Sequence, residues 1–95
     1  MPETRFRIQW PDGQKADCYS PSSVVRQYFE PGQDYALEEF VTKAREALQL
    51  ASARVQAKYG RPCGLALGQL QEIEAIAQKF TEPNQQVTVI CFVDH

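Results

Sequence analysis

YGRPCGLALGQLQEIE, residues Tyr59–Glu74, decides what kind of fold this 95-residue chain adopts. A cysteine beside a glycine, a proline before it and a further glycine downstream resemble a ligand-binding loop. A phosphate loop, however, follows a strand and ends in Lys-Ser/Thr after its glycines. Here Gly64 and Gly68 lead into Gln69 and Leu70, and the residues upstream carry helical spacing. The stretch therefore reads as a corner between two helices. Gly60 takes the left-handed position that ends a helix, Pro62 keeps Arg61 extended, and the second helix begins at Cys63 or Gly64. A thiol at a helix N-terminus, with Arg61 near in sequence, gains thiolate character. Cys63 is thus the one candidate catalytic residue, set against a capping or buried role.

Upstream of the corner, Leu37, Phe40, Val41, Ala44, Leu48, Ala51, Val55 and Tyr59 recur at steps of 3 and 4, one apolar helical stripe. Asp34 is the expected cap. The helix spans about 24 residues and roughly 36 Å at ~1.5 Å per residue. That is longer than a small domain is wide, so one end is expected to overhang or to meet a partner. Arg54, Lys58 and Arg61 put positive charge at its C-terminal end, where it suits the helix dipole and offers an anion-binding candidate. Downstream, Leu67, Leu70, Ile73, Ile76, Ala77 and Phe80 form the stripe of the next helix.

The flanks read as strands. In Arg5–Trp10, Phe6, Ile8 and Trp10 alternate with Arg5, Arg7 and Gln9, a strand with one wet face. Pro11-Asp12-Gly13 supplies a hairpin turn, and the chain returns over about Lys15–Tyr19. Ser20 as N-cap and Pro21 at the first helical position predict a short helix of about two turns, ended by Pro31-Gly32. After the TEPNQQ turn, Val87–Val93 closes the chain as a strand. The expected fold is a single α+β domain over residues 1–95. It comprises an N-terminal β-hairpin, a short helix, two longer antiparallel helices and a C-terminal strand. That strand joins beside the first one in a small three-stranded sheet, with both helices on one face.

Composition narrows the function classes. With 43% hydrophobic and 23% charged residues the chain is globular, and its net charge of -2 argues against a nucleic-acid binder. No apolar run approaches the ~20 residues of a membrane helix, and MPETRFRIQW lacks signal-peptide character. A cytoplasmic location is expected. Cys18, Cys63 and Cys91, odd in number and far apart, read as free thiols. Cys91 and His95 would stand ~13 Å apart along a strand, so no metal site and no cofactor is expected. The acidic pairs Glu38/Glu39 and Glu72/Glu74 read as solvated helix faces.

Two segments point outward. Tyr28, Phe29, Pro31 and Tyr35 cluster aromatic rings around a tight turn, either plugging the end of the core or forming a partner-binding surface. In the last strand, Val87, Val89, Cys91 and Val93 alternate with Ile90 and Phe92, so both faces are apolar. Ile90 and Phe92 need a cover, from the YFEPG segment or from a second subunit, and a homodimer through this strand is the expectation.

RFRIQWPDG (5–13), CYSPSSVVRQYFEPGQDY (18–35) and ASARVQAKYGRPCGLALGQLQEIE (51–74) together resemble the small bacterial nitrogen-starvation response proteins encoded beside a nitrilase. The resemblance runs from Pro2 to about Val93. It implies a setting, the scavenging of nitrogen from nitriles or cyanide, with proteins of the same gene cluster as partners. It carries no catalytic residue across, and Gly64 stands where a small polar residue is expected after the cysteine. The leading expectation is a non-enzymatic accessory or interaction protein. The competing ones are a small enzyme with Cys63 as nucleophile in nitrile or amide chemistry, and a small-molecule sensor with a pocket between sheet and helices.

Overall fold

β1 (Thr4–Gln9) and β2 (Lys15–Ser20) form the hairpin that the alternating pattern predicts, in register from Thr4 opposite Ser20 to Gln9 opposite Lys15. The computed structural model describes residues 3–61, 64–81 and 84–94. The turn is closed at both levels: Trp10 N–H donates to the Gln14 carbonyl, and Gly13 N–H to the Trp10 carbonyl, each at 2.8 Å. Gly13 takes a φ of 90°, which glycine adopts without a Cβ clash, and the Asp12 carboxylate accepts from Gln14 N–H at 3.0 Å.

The short helix is a 3₁₀ helix, Ser23–Gln27, and its cap is Ser22 rather than Ser20. Ser22 Oγ accepts from Val24 N–H at 3.3 Å, while Ser20 Oγ donates to the Ser22 carbonyl at 2.7 Å. Ser20 thus braces the cap one step back. Both serines are buried with their polar atoms paired, the condition under which burying a hydroxyl costs little.

The three-stranded expectation needs one more strand. β3 (Gln33–Ala36) pairs antiparallel with the first half of β4 (Gln86–Asp94), and the sheet order is β2-β1-β4-β3. The last strand does lie beside β1, and all pairings are antiparallel. β3 occupies the residues expected to start the long helix, so Asp34 is not its cap. On the sheet, Asp34 accepts from the Thr88 hydroxyl. α1 (Leu37–Tyr59) starts directly after β3 with no side-chain cap; Leu37 N–H donates instead to the Gln85 carbonyl at 2.9 Å. Glu38 and Glu39 in the first turn complement the dipole. At the far end Gly60, with φ 84°, closes the helix in the left-handed conformation.

α2 (Gly64–Ala77) packs back along α1, with Arg45 meeting Glu74 at 3.0 Å. Small side chains, Ala44, Ala47 and Ala51 on α1 and Ala66 on α2, are fully buried and allow close approach. The buried stripe of α2 is Ala66, Leu70, Ile73 and Ala77, so Leu67, expected in it, stands one position off and is partly exposed. Phe80 follows the helix but still enters the core, stacked on Trp10 with centroids 6.0 Å apart.

Both helices cover one face of the sheet, where Phe6 and Ile8 of β1, Cys18 of β2 and Val87 and Val89 of β4 are buried. The core is an aromatic chain. Phe80 leads to Trp10, Trp10 meets Phe40 edge-on at 5.8 Å, Phe40 meets Phe29 at 5.3 Å, and Phe29 touches Phe6 and Tyr35. Rings at these separations add to plain area burial.

β4 departs from simple alternation. Its register against β1 shifts between Arg7 and Ile8: Ile8 faces Val89, and Arg7 faces Cys91. Ile90 is the extra residue of a β-bulge, and beyond it every side chain changes face. Phe92 therefore sits opposite Phe6 on the helix-covered face with Val87 and Val89, while Cys91 and Val93 join Arg7 and Arg5 on the open face. The expected faces, with Phe92 opposite Val89, are corrected by this one residue.

Candidate functional site

The helical hairpin outruns the core. Along α1 the buried positions end at Ser52; of the remaining turns only Val55 is half-buried, and Tyr59 is 62% exposed. Leu65, in the first turn of α2, is 69% exposed. Leu50 and Leu67 complete the large apolar side chains that stand in solvent among the described residues, and all four belong to this hairpin. The overhang expected from helix length is thus an apolar one: the α1 stripe continues to Tyr59, beyond Ser52, its last buried residue.

Arg54, Lys58 and Arg61 lie on the same end and are exposed. The Lys58 ammonium is 5.5 Å from the Tyr59 ring centroid, a cation–π distance. Pro62 and Cys63 lie outside the described residues, so the thiol expectation at position 63 has no geometry here; His95 lies outside them as well.

The aromatic segment divides in two. Phe29, 1% exposed, and Tyr35 are core residues, and the Tyr35 hydroxyl accepts from Glu30 N–H at 2.8 Å, fastening the turn between them. Tyr28 is half-buried and Pro31 exposed, so these two form the part that reaches the surface. Phe92 is half-buried against the core, with the Arg26 guanidinium carbon 4.7 Å from its ring centroid. Ile90 lines a hollow on the open face with Arg7, Lys15 and Asp17.

On that open face Arg7 Nε pairs with Asp17 Oδ1 at 2.8 Å, between residues directly opposite in β1 and β2. The hydrogen bond from Arg7 holds the Asp17 carboxyl below its ordinary value, and the same pairing raises Arg7. The Arg5 guanidinium lies 5.9 Å from the Tyr19 ring centroid. Tyr19 N–H, on the outer side of edge strand β2, donates to Gln69 Oε1 of α2 at 3.0 Å, so a helix side chain shields that edge. Next to it a groove of about 440 Å³, open to solvent, runs between Arg5, Tyr19, Leu65, Gln69 and Glu72.

Of the thiols described, Cys18 is 2% exposed and burial pushes it up to about 12. A thiol that stays protonated is a packing group, not a nucleophile. Cys91 is half-exposed on the open face. Among the described residues no group of three or more His, Cys, Asp and Glu side chains is placed to hold a metal ion, and no helix is long and apolar enough to cross a membrane. The space between sheet and helices is occupied by the aromatic chain, and the hollows described above open on the surface.

Leu50, Leu65 and Arg26 were not singled out by sequence. Leu65 gives a signal in retrospect, as a leucine off the apolar stripe at the start of a helix. Arg26 gives none, because its ring partner is 66 positions away in sequence.

The family model of nitrogen starvation-induced protein NitG matches residues 5–92, nearly the whole domain described above. No curated protein and no solved structure matches the chain.

Proposed function

The chain belongs to the family of nitrogen starvation-induced protein NitG, and from that premise we propose that it is a non-enzymatic accessory protein of the nitrogen-starvation response. It acts in the cytoplasm, in the nitrile- or cyanide-scavenging setting of a nitrilase gene cluster, by binding a protein of that same cluster. The observation that carries this reading is the position of the exposed apolar side chains. Leu50, Tyr59, Leu65 and Leu67 are gathered on one helical hairpin whose end projects past the core. Exposed apolar groups that gather in one patch mark an interaction site, whereas the same groups scattered singly are ordinary surface, and Tyr59 and Leu65, the two most exposed, stand at the hairpin's projecting end.

Arg54, Lys58 and Arg61 at the same end specify that partner's chemistry: an apolar patch with an acidic rim. The YFEPG segment adds a smaller contact through Tyr28 and Pro31, since Phe29 and Tyr35 are spent on the core.

The test mixes the purified chain with the purified nitrilase and the other proteins of its cluster and measures complex formation by calorimetry. One of them is expected to bind, Tyr59→Asp with Leu65→Asp to abolish binding, and Tyr28→Ala to weaken it. Binding to none of them, or binding indifferent to the Asp substitutions, removes the proposal.

A further inference from the structure

α2 runs beside the edge strand β2, and the bond from Tyr19 N–H to Gln69 Oε1 ties the two together at 3.0 Å. The groove of about 440 Å³ next to that tie has two unlike walls. On the sheet side Arg5 and Tyr19 stand directly opposite each other in β1 and β2. On the helix side Gly68 and Glu72 are one turn apart and share a face, with Gln69 and the exposed Leu65 beside them. A groove of this size suits a small molecule.

Its charges identify the ligand. Arg5 and Glu72 both line the groove, yet among the described residues neither is in an ion pair. Arg5 lies over the Tyr19 ring, 5.9 Å from its centroid, a contact that leaves guanidinium N–H groups for a carboxylate. Gln69, its oxygen held by Tyr19, keeps an amide N–H₂ on the groove wall. Glu72 supplies acceptor oxygens for a cation. Gly68 adds no side chain, and nothing lies within 4 Å of where its Cβ would stand. Its φ is ordinary, so the backbone does not require glycine there, and glycine inside a helix is less stable than alanine. What it provides is close approach to the helix backbone.

We propose that this groove binds a free α-amino acid with an apolar side chain. The carboxylate meets Arg5 and Gln69, the ammonium meets Glu72, and the side chain lies against Leu65 and the Tyr19 ring. A cation and a carboxylate that share a groove without pairing are bridged by a molecule carrying both charges. A ligand with only one charge leaves the other group unmatched, which gives the site its selectivity.

This site goes beyond the accessory-protein reading and is tested through different residues. Leu65 belongs to both surfaces and is left unchanged in the experiment.

Titration of isotope-labelled protein with L-leucine, followed by proton–nitrogen correlation NMR, tests the proposal. The series runs to about 10 mM, where a millimolar site is close to full. Saturable shifts centred on Arg5, Tyr19, Gly68 and Gln69 are expected. Isocaproate, which lacks the ammonium, and isoamylamine, which lacks the carboxylate, are each expected to bind at least about tenfold more weakly. Arg5→Ala and Glu72→Gln are expected to weaken L-leucine binding by the same factor. Gly68→Leu puts a side chain into the open space at a position that suits a helix former, and is expected to abolish binding with unchanged circular dichroism. No saturable shift with L-leucine, a one-charge analogue that binds as tightly, or binding that survives Arg5→Ala or Gly68→Leu each overturns the proposal.

Discussion

Phe6 lies directly opposite Phe92 across the β1–β4 ladder, on the face that the helices cover. Only the bulge at Ile90 makes this pairing one of core residues. Phe92→Ala removes a half-buried ring together with its contact to the Arg26 guanidinium, and a loss of about 1–3 kcal/mol is expected. Val93→Ala, on the open face, is expected to cost under about 1 kcal/mol. Urea unfolding followed by the fluorescence of the single tryptophan, buried Trp10, measures both. The reverse ranking would place the faces as simple alternation does.

Two glycines of the hairpin are predicted to respond with opposite sign. Gly60 has φ 84°, where a Cβ is strained although no atom crowds it, so Gly60→Ala is expected to cost about 1 kcal/mol. Gly68 lies inside α2 at ordinary φ with open space around it, so Gly68→Ala is expected to add about 0.5–1 kcal/mol. Thermal melts of the two variants check the pair, and a shift in the same direction for both would contradict the assigned backbone.

Cys18 links stability to alkaline pH. Burial holds its thiol protonated up to about 12, whereas in the unfolded chain it ionises near its ordinary value of 9.0. Between those values the unfolded state binds fewer protons, so stability, complete below about pH 8.5, falls as pH rises. The slope from this group is at most about 1.4 kcal/mol per pH unit. Urea midpoints from pH 8 to 10 for the wild type and Cys18→Ala are expected to diverge in slope, with the variant flatter. Parallel slopes would mean the thiol is accessible in the fold.

Much of the fold was legible because period and punctuation agreed. Phe6, Ile8 and Trp10 gave β1, Pro11-Asp12-Gly13 the hairpin, and Gly60 the end of α1, each a local signal for a local structure. What stayed hidden depends on a distant partner. Gln33–Ala36 is a strand because Gln86–Val89 runs beside it, and nothing within those four residues outweighs the capping habit of Asp34. The bulge was hidden because Val87–Val93 is apolar at nearly every position, so either alternation fits the sequence equally well. The projecting hairpin was foreseen from helix length, but its apolar surface was read as core stripe at Tyr59 and Leu67. A stripe shows which face of a helix is apolar, not where burial along it ends.

A single complementation measurement weighs binding against turnover. A strain lacking the gene is grown on a nitrile as sole nitrogen source and supplied with the wild-type chain, with Cys63→Ser, or with Tyr59→Asp and Leu65→Asp together. Cys63→Ser is expected to restore growth like the wild type, and the doubly substituted chain, expressed at the same level, to fail. Growth lost with Cys63→Ser but restored by the hairpin variant would contradict the account.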